Sequence, residues 1–416
     1  MDIQVYKDIK AYLKELIAGT EFDNKVYTVG GCCRDEYLGN EINDIDIVIE
    51  LPDGGIRLAN WLYENKHTNG SVVTYPSYGT AMFKLDKFPD IEIEAVQTRS
   101  EKYVDRDSRN PSTEYGTIEQ DCSRRDFTIN ALYCNITTGE LLDICGRSFD
   151  DLKNYRVCTP CDPDITFEDD PLRIMRCVRF ASKYKFDIDE ATYEACKNNV
   201  ERLSIVSAER ITDEFNKMMS FSDSSCRFNA GFRLNDIGIL DILFPNIPVL
   251  FACLNSKIIK NRNVAICTLL FGIKSDTMKK VLVNMKYSNA EINYMMDLHN
   301  LCLKWQLIEE MTPEIQREWQ YDCKSEQMLN DVHDVVCSVI QQKHTIMRKI
   351  DPNINHYDYK LPVNGDDIMK HLGIEPGPKV KEYLDMLIKE SFKNPEQTKR
   401  ACLKFIKQYH NEHPND

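Results

Sequence analysis

Residues 29–35 read Val29-Gly30-Gly31-Cys32-Cys33-Arg34-Asp35, and the chain runs on through Gly39 to Asp44-Ile45-Asp46-Ile47-Val48-Ile49. The preceding Val26-Tyr27-Thr28-Val29 has the composition of a strand, and a glycine pair at a strand end lets backbone N–H groups approach a ligand that a Cβ would hold off. Such a turn suits a phosphate. Asp44 and Asp46 stand two apart in an apolar, β-branched setting, so strand alternation sends both carboxylates to one face and Ile45 and Ile47 to the other. Side by side, two carboxylates repel unless a cation lies between them, and such hard oxygen ligands suit Mg²⁺. A glycine turn for a triphosphate beside a carboxylate pair for metal outlines a phosphoryl-transfer site. Taken singly, Gly-Gly is an ordinary turn and Asp-x-Asp an ordinary solvated strand end. The stretch is not a P-loop, because no Gly-Lys-Ser/Thr follows, nor a dinucleotide fingerprint, because its third glycine falls in the wrong place.

With Arg34, Asp35 and Gly39 included, this stretch resembles the signature of the class II nucleotidyltransferases that build tRNA 3′ ends and of bacterial-type poly(A) polymerases, within the DNA polymerase beta-like superfamily. The resemblance implies an α+β chain: a mixed β-sheet head with a polymerase beta-like palm over 1–155, then an all-helical neck over 156–250, body over 251–355 and tRNA-binding tail over 356–416. It also implies two Mg²⁺ ions on Asp44 and Asp46, with Gly30, Gly31 and Arg34 at the nucleotide.

Composition agrees with several parts. The 416 residues are 42% hydrophobic, enough for a large core and too long for one compact domain. No apolar run reaches membrane-spanning length, so the expectation is a soluble, cytoplasmic protein without a membrane partner. Its sixteen cysteines are scattered through apolar runs, as reduced thiols are in the cytosol. Cys158-Thr159-Pro160-Cys161 lacks a second pair or a histidine cluster and reads as a loop with incidental thiols. A net charge of −14 excludes binding of nucleic acid by a general positive field, but not by a local basic cleft. From Lys379 to Lys407 eight Lys/Arg face four acids, which fits either an RNA-facing tail or a solvated helix face.

Along the chain, Ile3, Tyr6, Ile9, Tyr12, Leu13 and Leu16 repeat with a 3.6-residue period that predicts a helix over 3–17. Asp53-Gly54-Gly55 predicts a turn before a helix over 56–63, and 72–75 and 80–85 predict strands joined by a turn at 76–79. Ile91-Glu92-Ile93-Glu94-Ala95-Val96 alternates apolar and acidic residues. Period two puts Glu92 and Glu94 on one face and does not choose between them as a third carboxylate; an exposed acidic edge is the other reading. The resemblance assigns the role to Glu94, five residues before the arginine of Arg99-Ser100-Glu101-Lys102-Tyr103. Residues 104–121, dense in Asp, Arg, Ser, Asn, Pro and Gly, predict a loop.

In Arg124-Arg125-Asp126-Phe127-Thr128-Ile129-Asn130-Ala131, arginines could grip a triphosphate as bidentate forks, and Asp126 and Asn130 share a face if helical. A capped helix with surface arginines is the plainer reading. This segment resembles the family's second signature, which implies that Arg125, Asp126 and Asn130 contact the sugar and phosphates of the incoming nucleotide. A hairpin follows over 133–144, and composition turns helical from about residue 165.

Glu168-Asp169-Asp170-Pro171-Leu172-Arg173-Ile174-Met175-Arg176-Cys177-Val178-Arg179 predicts a helix with Asp170 as N-cap and Pro171 at its first position. A carboxylate and a guanidinium three apart could also read one base edge, the acid accepting an amino group and the arginine donating to a ring acceptor. The stretch resembles the family's Glu-Asp-x-x-Arg nucleotide-selecting element, falling on Asp169, Asp170 and Arg173 with Asp in the first place, and Arg176 and Arg179 on the same helix count with the nucleotide site. An aspartate that caps a helix cannot also give both oxygens to a base. Ser207 to Phe215 resembles a helix that supports the selecting arginine through Arg210, 229–250 the family's helical connection, and Leu361–Met369 with Gly373–Pro378 its C-terminal RNA-contacting segment. His299, His333 and His344 have no metal-binding spacing.

The function implied is template-independent addition of CMP and AMP, from CTP and ATP, to the 3′ end of tRNA. Poly(A) polymerase activity, CC-only or A-only addition, and an RNA-binding protein with an inactive head are the alternatives.

Overall fold

Helix α1, Ile3–Ile17, starts at Asp2, whose side chain accepts the Gln4 N–H, and buries Tyr6, Ile9, Leu13 and Ile17 along the face its period predicts. The computed structural model describes residues 1–76, 79–102, 112–305, 311–340, 351 and 353–413. Ser77 and Tyr78 of the expected turn, Tyr103, the expected loop up to residue 111, and His344 lie outside the described residues. Two compact units emerge: residues 1–221 with 229–245, and residues 222–228 with 246–416.

The first unit is built on a seven-stranded sheet. Its elements are β1 (Val26–Val29), α2 (Gly31–Leu38), β2 (Ile45–Ile49), α3 (Gly54–Glu64), β3 (Val73–Tyr75), β4 (Thr80–Leu85), β5 (Phe88–Gln97), β6 (Arg99–Lys102), β7 (Ser112–Tyr115), α4 (Ile118–Ser123), β8 (Leu132–Asn135) and β9 (Leu141–Asp143). The strand order is β3-β4-β5-β2-β1-β8-β9, and β6 and β7 form a separate antiparallel ribbon. Within the large sheet β2 and β5 run parallel and the other neighbours antiparallel.

Two local expectations are corrected. Gly54 and Gly55 open α3 rather than forming a turn before it. A Cβ on Gly55 would stand 2.4 Å from the Ala95 carbonyl oxygen, and one on Gly54 would stand 2.6 Å from Ile49 Cγ2, so these glycines let the helix backbone lie directly on β2 and β5. The loop expected to residue 121 gives way at Ser112 to β7 and then α4, whose start is a capping box: Thr117 Oγ1 accepts the Gln120 N–H, and Gln120 Oε1 accepts the Thr117 N–H.

After α5 (Ser148–Lys153), strand β10 (Arg156–Val157) pairs in parallel with β11 (Asp187–Ile188), so the neck expected to be all-helical over 156–250 contains two strands, each too short for periodicity to reveal. Between them lie α6 (Pro163–Asp169) and α7 (Leu172–Tyr184); α8 (Glu190–Asn198) and α9 (Ala208–Met219) follow. The described part of the second unit is helical, with Arg262–Leu269, Ser275–Asn284, Asn289–Trp305, Pro313–Cys323 and Glu326–Ile340 among its members. Its last three helices, Gly365–Leu372, Pro378–Lys393 and Lys399–Glu412, close on Val363, Ile368, Tyr383, Leu387, Cys402 and Ile406. Gly373 ends the first of these with φ 69°, and Pro378 opens the next, as a helix stop and restart requires. All sixteen cysteines are free thiols. Among the described residues no helix is long and apolar enough to cross a membrane.

Candidate active site

Alternation along β2 is as expected: Ile45 and Ile47 are buried and Asp46 is exposed, with Asp44 exposed just before the strand. The parallel register sets Asp46 opposite Glu94 and Ile45 opposite Ile93, while Glu92 stands opposite Lys84 of β4. Glu94 is thus the acid beside Asp46. Although Asp46 keeps solvent contact, desolvation by the surrounding protein pushes its carboxyl up to about 6; Glu94 and Asp44 add to the rise, and Arg125 opposes it. One face of the adjoining interior strands β2 and β5 therefore carries crowded negative charge.

Among the described residues, no three His, Cys, Asp or Glu side chains are arranged to enclose a metal ion. Magnesium needs no such cage, because it binds through one or two carboxylates and completes its shell with water and substrate phosphate. A set of neighbouring, solvent-facing carboxylates fits that kind of ion.

The glycine turn faces the same region. Gly30 has φ 77° and ψ −126°, a conformation that favours glycine, and stands at the N-terminus of α2. A Cβ on Gly30 would lie 3.6 Å from Arg125 Nη1, and one on Gly31 would lie 3.5 Å from Arg34 Nη2, so the arginines of both signatures converge over the pair. Arg34 is buried. Its Nε and Nη2 donate to both Asp35 oxygens at 3.0 and 2.8 Å, Nη1 donates to Asn130 Oδ1, and the guanidinium lies 4.5 Å from the Tyr184 ring centre. This fork is committed inside the protein rather than open to a triphosphate.

Asp121, which the sequence reading did not single out, organises the second signature. Fully buried, it accepts from Arg124 Nη2 at 2.7 Å, Arg125 Nη2 at 3.0 Å, the Tyr133 hydroxyl at 2.8 Å and the Arg99 N–H at 3.2 Å. Burial alone would raise its carboxyl, but Arg125 and Arg124 outweigh burial and hold it at about 2. Its spacing of three and four residues to those arginines is a helix-face pattern and was the available signal.

Asp126 and Asn130 do meet, though through an irregular segment and a short 3₁₀ turn at Thr128–Asn130 rather than through an α-helix. Asn130 Nδ2 donates to Asp126 Oδ1 at 3.1 Å, while Arg176 donates to Asp126 Oδ2 from Nε at 2.8 Å. Burial pushes Asp126 up, and Arg176 together with Asn130 more than reverses that, to about 2. Arg179 pairs with Glu214, a buried residue of α9 that Arg176 also approaches and that the sequence reading missed.

At the α6–α7 junction Asp169 ends α6, and Asp170 and Pro171 precede α7, which begins one residue later than expected, at Leu172. Asp170 Oδ1 still accepts the Leu172 N–H at 3.2 Å, a capping contact. Its other oxygen accepts from Arg210 at 3.0 Å. Arg210 thus supports the aspartate and not, as expected, the arginine; Arg173 donates to the backbone carbonyls of Thr166 at 3.3 Å and Arg124 at 2.6 Å.

Comparison with known proteins follows the same division. Residues 26–158 match the Poly A polymerase head domain, 185–250 the RNA- and SrmB-binding region of polymerase A, and 259–406 the tRNA nucleotidyltransferase domain 2. The chain is 27% identical to tRNA nucleotidyltransferase cca2 of Schizosaccharomyces pombe, covering 92% of each. It is 28% identical to cca1 of the same organism, over 90% of this chain and 89% of the relative. The Bacillus stearothermophilus CCA-adding enzyme in complex with CTP shares its fold, with a TM-score of 0.71, 20% identity, and coverage of 94% of this chain and 95% of that one. Head, connecting and C-terminal matches succeed one another along most of the chain in the order that the two compact units display, and the chain belongs to the tRNA nucleotidyltransferase and poly(A) polymerase family.

Proposed function

We propose that the chain adds CMP and AMP from CTP and ATP to the 3′ end of tRNA, building or repairing its CCA terminus with release of pyrophosphate. The observation that carries this reading is the parallel register that puts Asp46 beside Glu94, with Asp44 just before the strand and Arg125 beside the glycine turn. The names of the full-length relatives support tRNA as the substrate.

Asp44 and Asp46 would hold two Mg²⁺ ions, with Glu94 adding negative charge beside Asp46. When bound, these ions neutralise triphosphate charge and lower the pKa of the attacking hydroxyl. The RNA 3′-oxygen forms its bond to the α-phosphorus as the bond to the pyrophosphate oxygen breaks. The Gly31 backbone N–H, with Arg125 held by Asp121 and Tyr133, binds the phosphates, while Gly30, whose own N–H is donated to the Leu132 carbonyl at 3.2 Å, shapes the turn. Arg34, Asp126, Asn130, Arg176 and Arg179 form a satisfied network that orients this wall. Asp170 and Arg173 read the base, with Arg210 and Asp169 in support.

The four segments drawn from the sequence, with boundaries after 155, 250 and 355, belong to the same proposal. Arg400, Lys404 and Lys407 are exposed on Lys399–Glu412, whereas Lys399 pairs with Asp367 at 2.6 Å; this helix is the proposed RNA-facing part of the tail. A cytoplasmic location is proposed, supported by the free thiols.

One experiment tests the function. A tRNA lacking its last three nucleotides should grow by two residues with CTP alone, and by three and no further with CTP and ATP. The head-domain match favours poly(A) polymerase as the second reading, and that activity would give a long ATP-only ladder on arbitrary RNA. A single added A, or two C residues and no more with both triphosphates, would indicate a partial enzyme.

Base reading has its own test. Asp170→Ala should lose preference for CTP over UTP by roughly tenfold to a hundredfold, the discrimination of one bidentate base contact. If Asp170 only caps α7, the variant loses about 1 kcal/mol of stability and Asp170→Asn restores it, with selectivity unchanged throughout. Incorporation of all four triphosphates, measured beside a thermal melt, separates these outcomes.

A further inference from the structure

The second unit holds a cavity of about 650 Å³ formed by the 3₁₀ turn Phe251–Asn255, the residues that follow it, and the end of helix Glu326–Ile340. Cys253, Ser256, Lys257, Lys260, Cys337 and Ser338 are among its lining residues. Its size is that of a small-molecule site. Polar contacts fix one wall: the Ser338 hydroxyl donates to Ser256 Oγ at 2.9 Å, and Arg227 Nη2 donates to the Ser256 carbonyl at 2.8 Å. Lys257 and Lys260 are exposed, so the cavity opens beside two cationic side chains in a chain whose net charge is −14.

Cys337 has a base beside it. Its Sγ lies 3.2 Å from Nε2 of His333, which stands four residues earlier on the same helix and therefore on the same face. The other ring nitrogen, Nδ1, lies 3.2 Å from Asp334 Oδ1. An ionised carboxylate can only accept, so Nδ1 donates to Asp334 and the Nε2 lone pair is left facing the sulfur. Nucleophile, base and orienting acid stand in the sequence that activates a thiol. Burial pulls the His333 imidazole down, but Asp334 and Cys337 outweigh it and push the ring up to about 9, so it readily keeps a proton taken from sulfur. Cys253, in the same wall, is a thiol that burial pushes up. Cys337 is itself mostly buried, and a reagent reaches it through the cavity.

We propose that Cys337 is a modification site: with His333 as its base and Asp334 orienting that base, its sulfur forms a mixed disulfide with a small anionic disulfide that enters the cavity past Lys257 and Lys260. The Cys337 S–H proton passes to His333 Nε2 as the sulfur attacks one sulfur of the reagent. The reagent's S–S bond breaks, and the departing thiolate takes a proton from the imidazolium or from water. One disulfide is consumed and one is formed, and excess free thiol reverses the exchange. This chemistry is separate from nucleotidyl transfer and uses none of its residues.

The test treats the full-length protein at pH 7 and low salt with glutathione disulfide, which is anionic, or with cystamine, a cationic disulfide, and follows each cysteine by intact mass and peptide mapping. Exposed Cys161 serves as the internal measure of an accessible thiol. Glutathione disulfide should label Cys337 faster than Cys253, and dithiothreitol should remove the label. His333→Asn should slow labelling of Cys337 by roughly tenfold to thirtyfold, because an unassisted thiol is only a few per cent thiolate at neutral pH, and should leave the Cys161 rate unchanged. If His333→Asn melts early, Asp334→Asn decides instead, since it keeps the imidazole and should slow the same cysteine by a smaller factor. Glutathione disulfide should outpace cystamine at Cys337 although the chain as a whole attracts cations, and Lys257→Glu with Lys260→Glu should reverse that order. A protein labelled at Cys161 but not at Cys337, equal Cys337 rates in wild type and in the folded His333 and Asp334 variants, or a reagent order that the lysine exchanges do not move would overturn the proposal.

Discussion

Asp46→Asn should abolish nearly all nucleotide incorporation while leaving the fold intact. Removing a metal-holding carboxylate withdraws several kcal/mol of transition-state charge stabilisation, which at tenfold per about 1.4 kcal/mol is a loss on the order of 10³-fold or more. The stability effect has the opposite sign. In the fold this carboxyl is raised to about 6, chiefly by desolvation and by Glu94, against about 4 in an unfolded chain. The folded protein thus holds the proton more tightly, so stability falls as pH rises from about 4 to about 6, and the cost is fully present above that window. Without Mg²⁺ at pH 7.5 the variant should melt no lower than wild type and is expected to melt higher, with the gap closing near pH 4. Wild-type incorporation by Asp46→Asn at saturating Mg²⁺ would remove the mechanism.

Asp121→Asn should be strongly destabilising, although Asp121 touches none of the proposed metal ligands. Stripping the charge from a fully buried partner of two arginines costs about 3–5 kcal/mol, because the guanidinium groups stay behind uncompensated. Its carboxyl is held at about 2, below the unfolded value near 4, so its contribution is present above about pH 4 and is lost as pH falls towards 2. Urea unfolding at pH 7 should show the loss in wild-type against variant midpoints, and the two proteins should converge on acidification. Phosphate grip should weaken as well, because Arg125 loses the group that aims it. Coincident midpoints at pH 7 would mean that the arginines are held some other way.

The features legible in the sequence were those with a local period. Helix α1 and the split of Asp46 from Ile45 and Ile47 follow from repeats of 3.6 and 2 residues, and each lies where the period puts it. What stayed hidden depended on partners distant in the chain. Period two could not choose between Glu92 and Glu94, because the choice is the register of β2 on β5. Gly54-Gly55 looks like a turn to any local rule, whereas the demand for glycine comes from the Ala95 backbone. Asp121 was masked differently: it sits in a polar, Arg- and Ser-rich stretch that composition assigns to a loop, although Thr117 and Gln120 spell a capping box just before it. The contact of Arg210 with Asp170 likewise joins two helices whose separation no spacing rule spans.

The single parallel pairing in the large sheet also governs when the protein can become active during its own synthesis. Parallel neighbours cannot be joined by a tight turn, and here the connection passes through α3, β3 and β4 before β5 returns beside β2. A nascent chain that has emerged only as far as β4 already carries the glycine turn, Asp44 and Asp46, but the strand that brings Glu94 to them does not yet exist. Closing that long loop costs entropy before the ladder hydrogen bonds repay it, which places the β2–β5 contact among the later events of folding. The crowding that raises Asp46 therefore arises only in the finished sheet, and a half-made head meets cellular magnesium and nucleotides as an ordinary solvated acidic peptide.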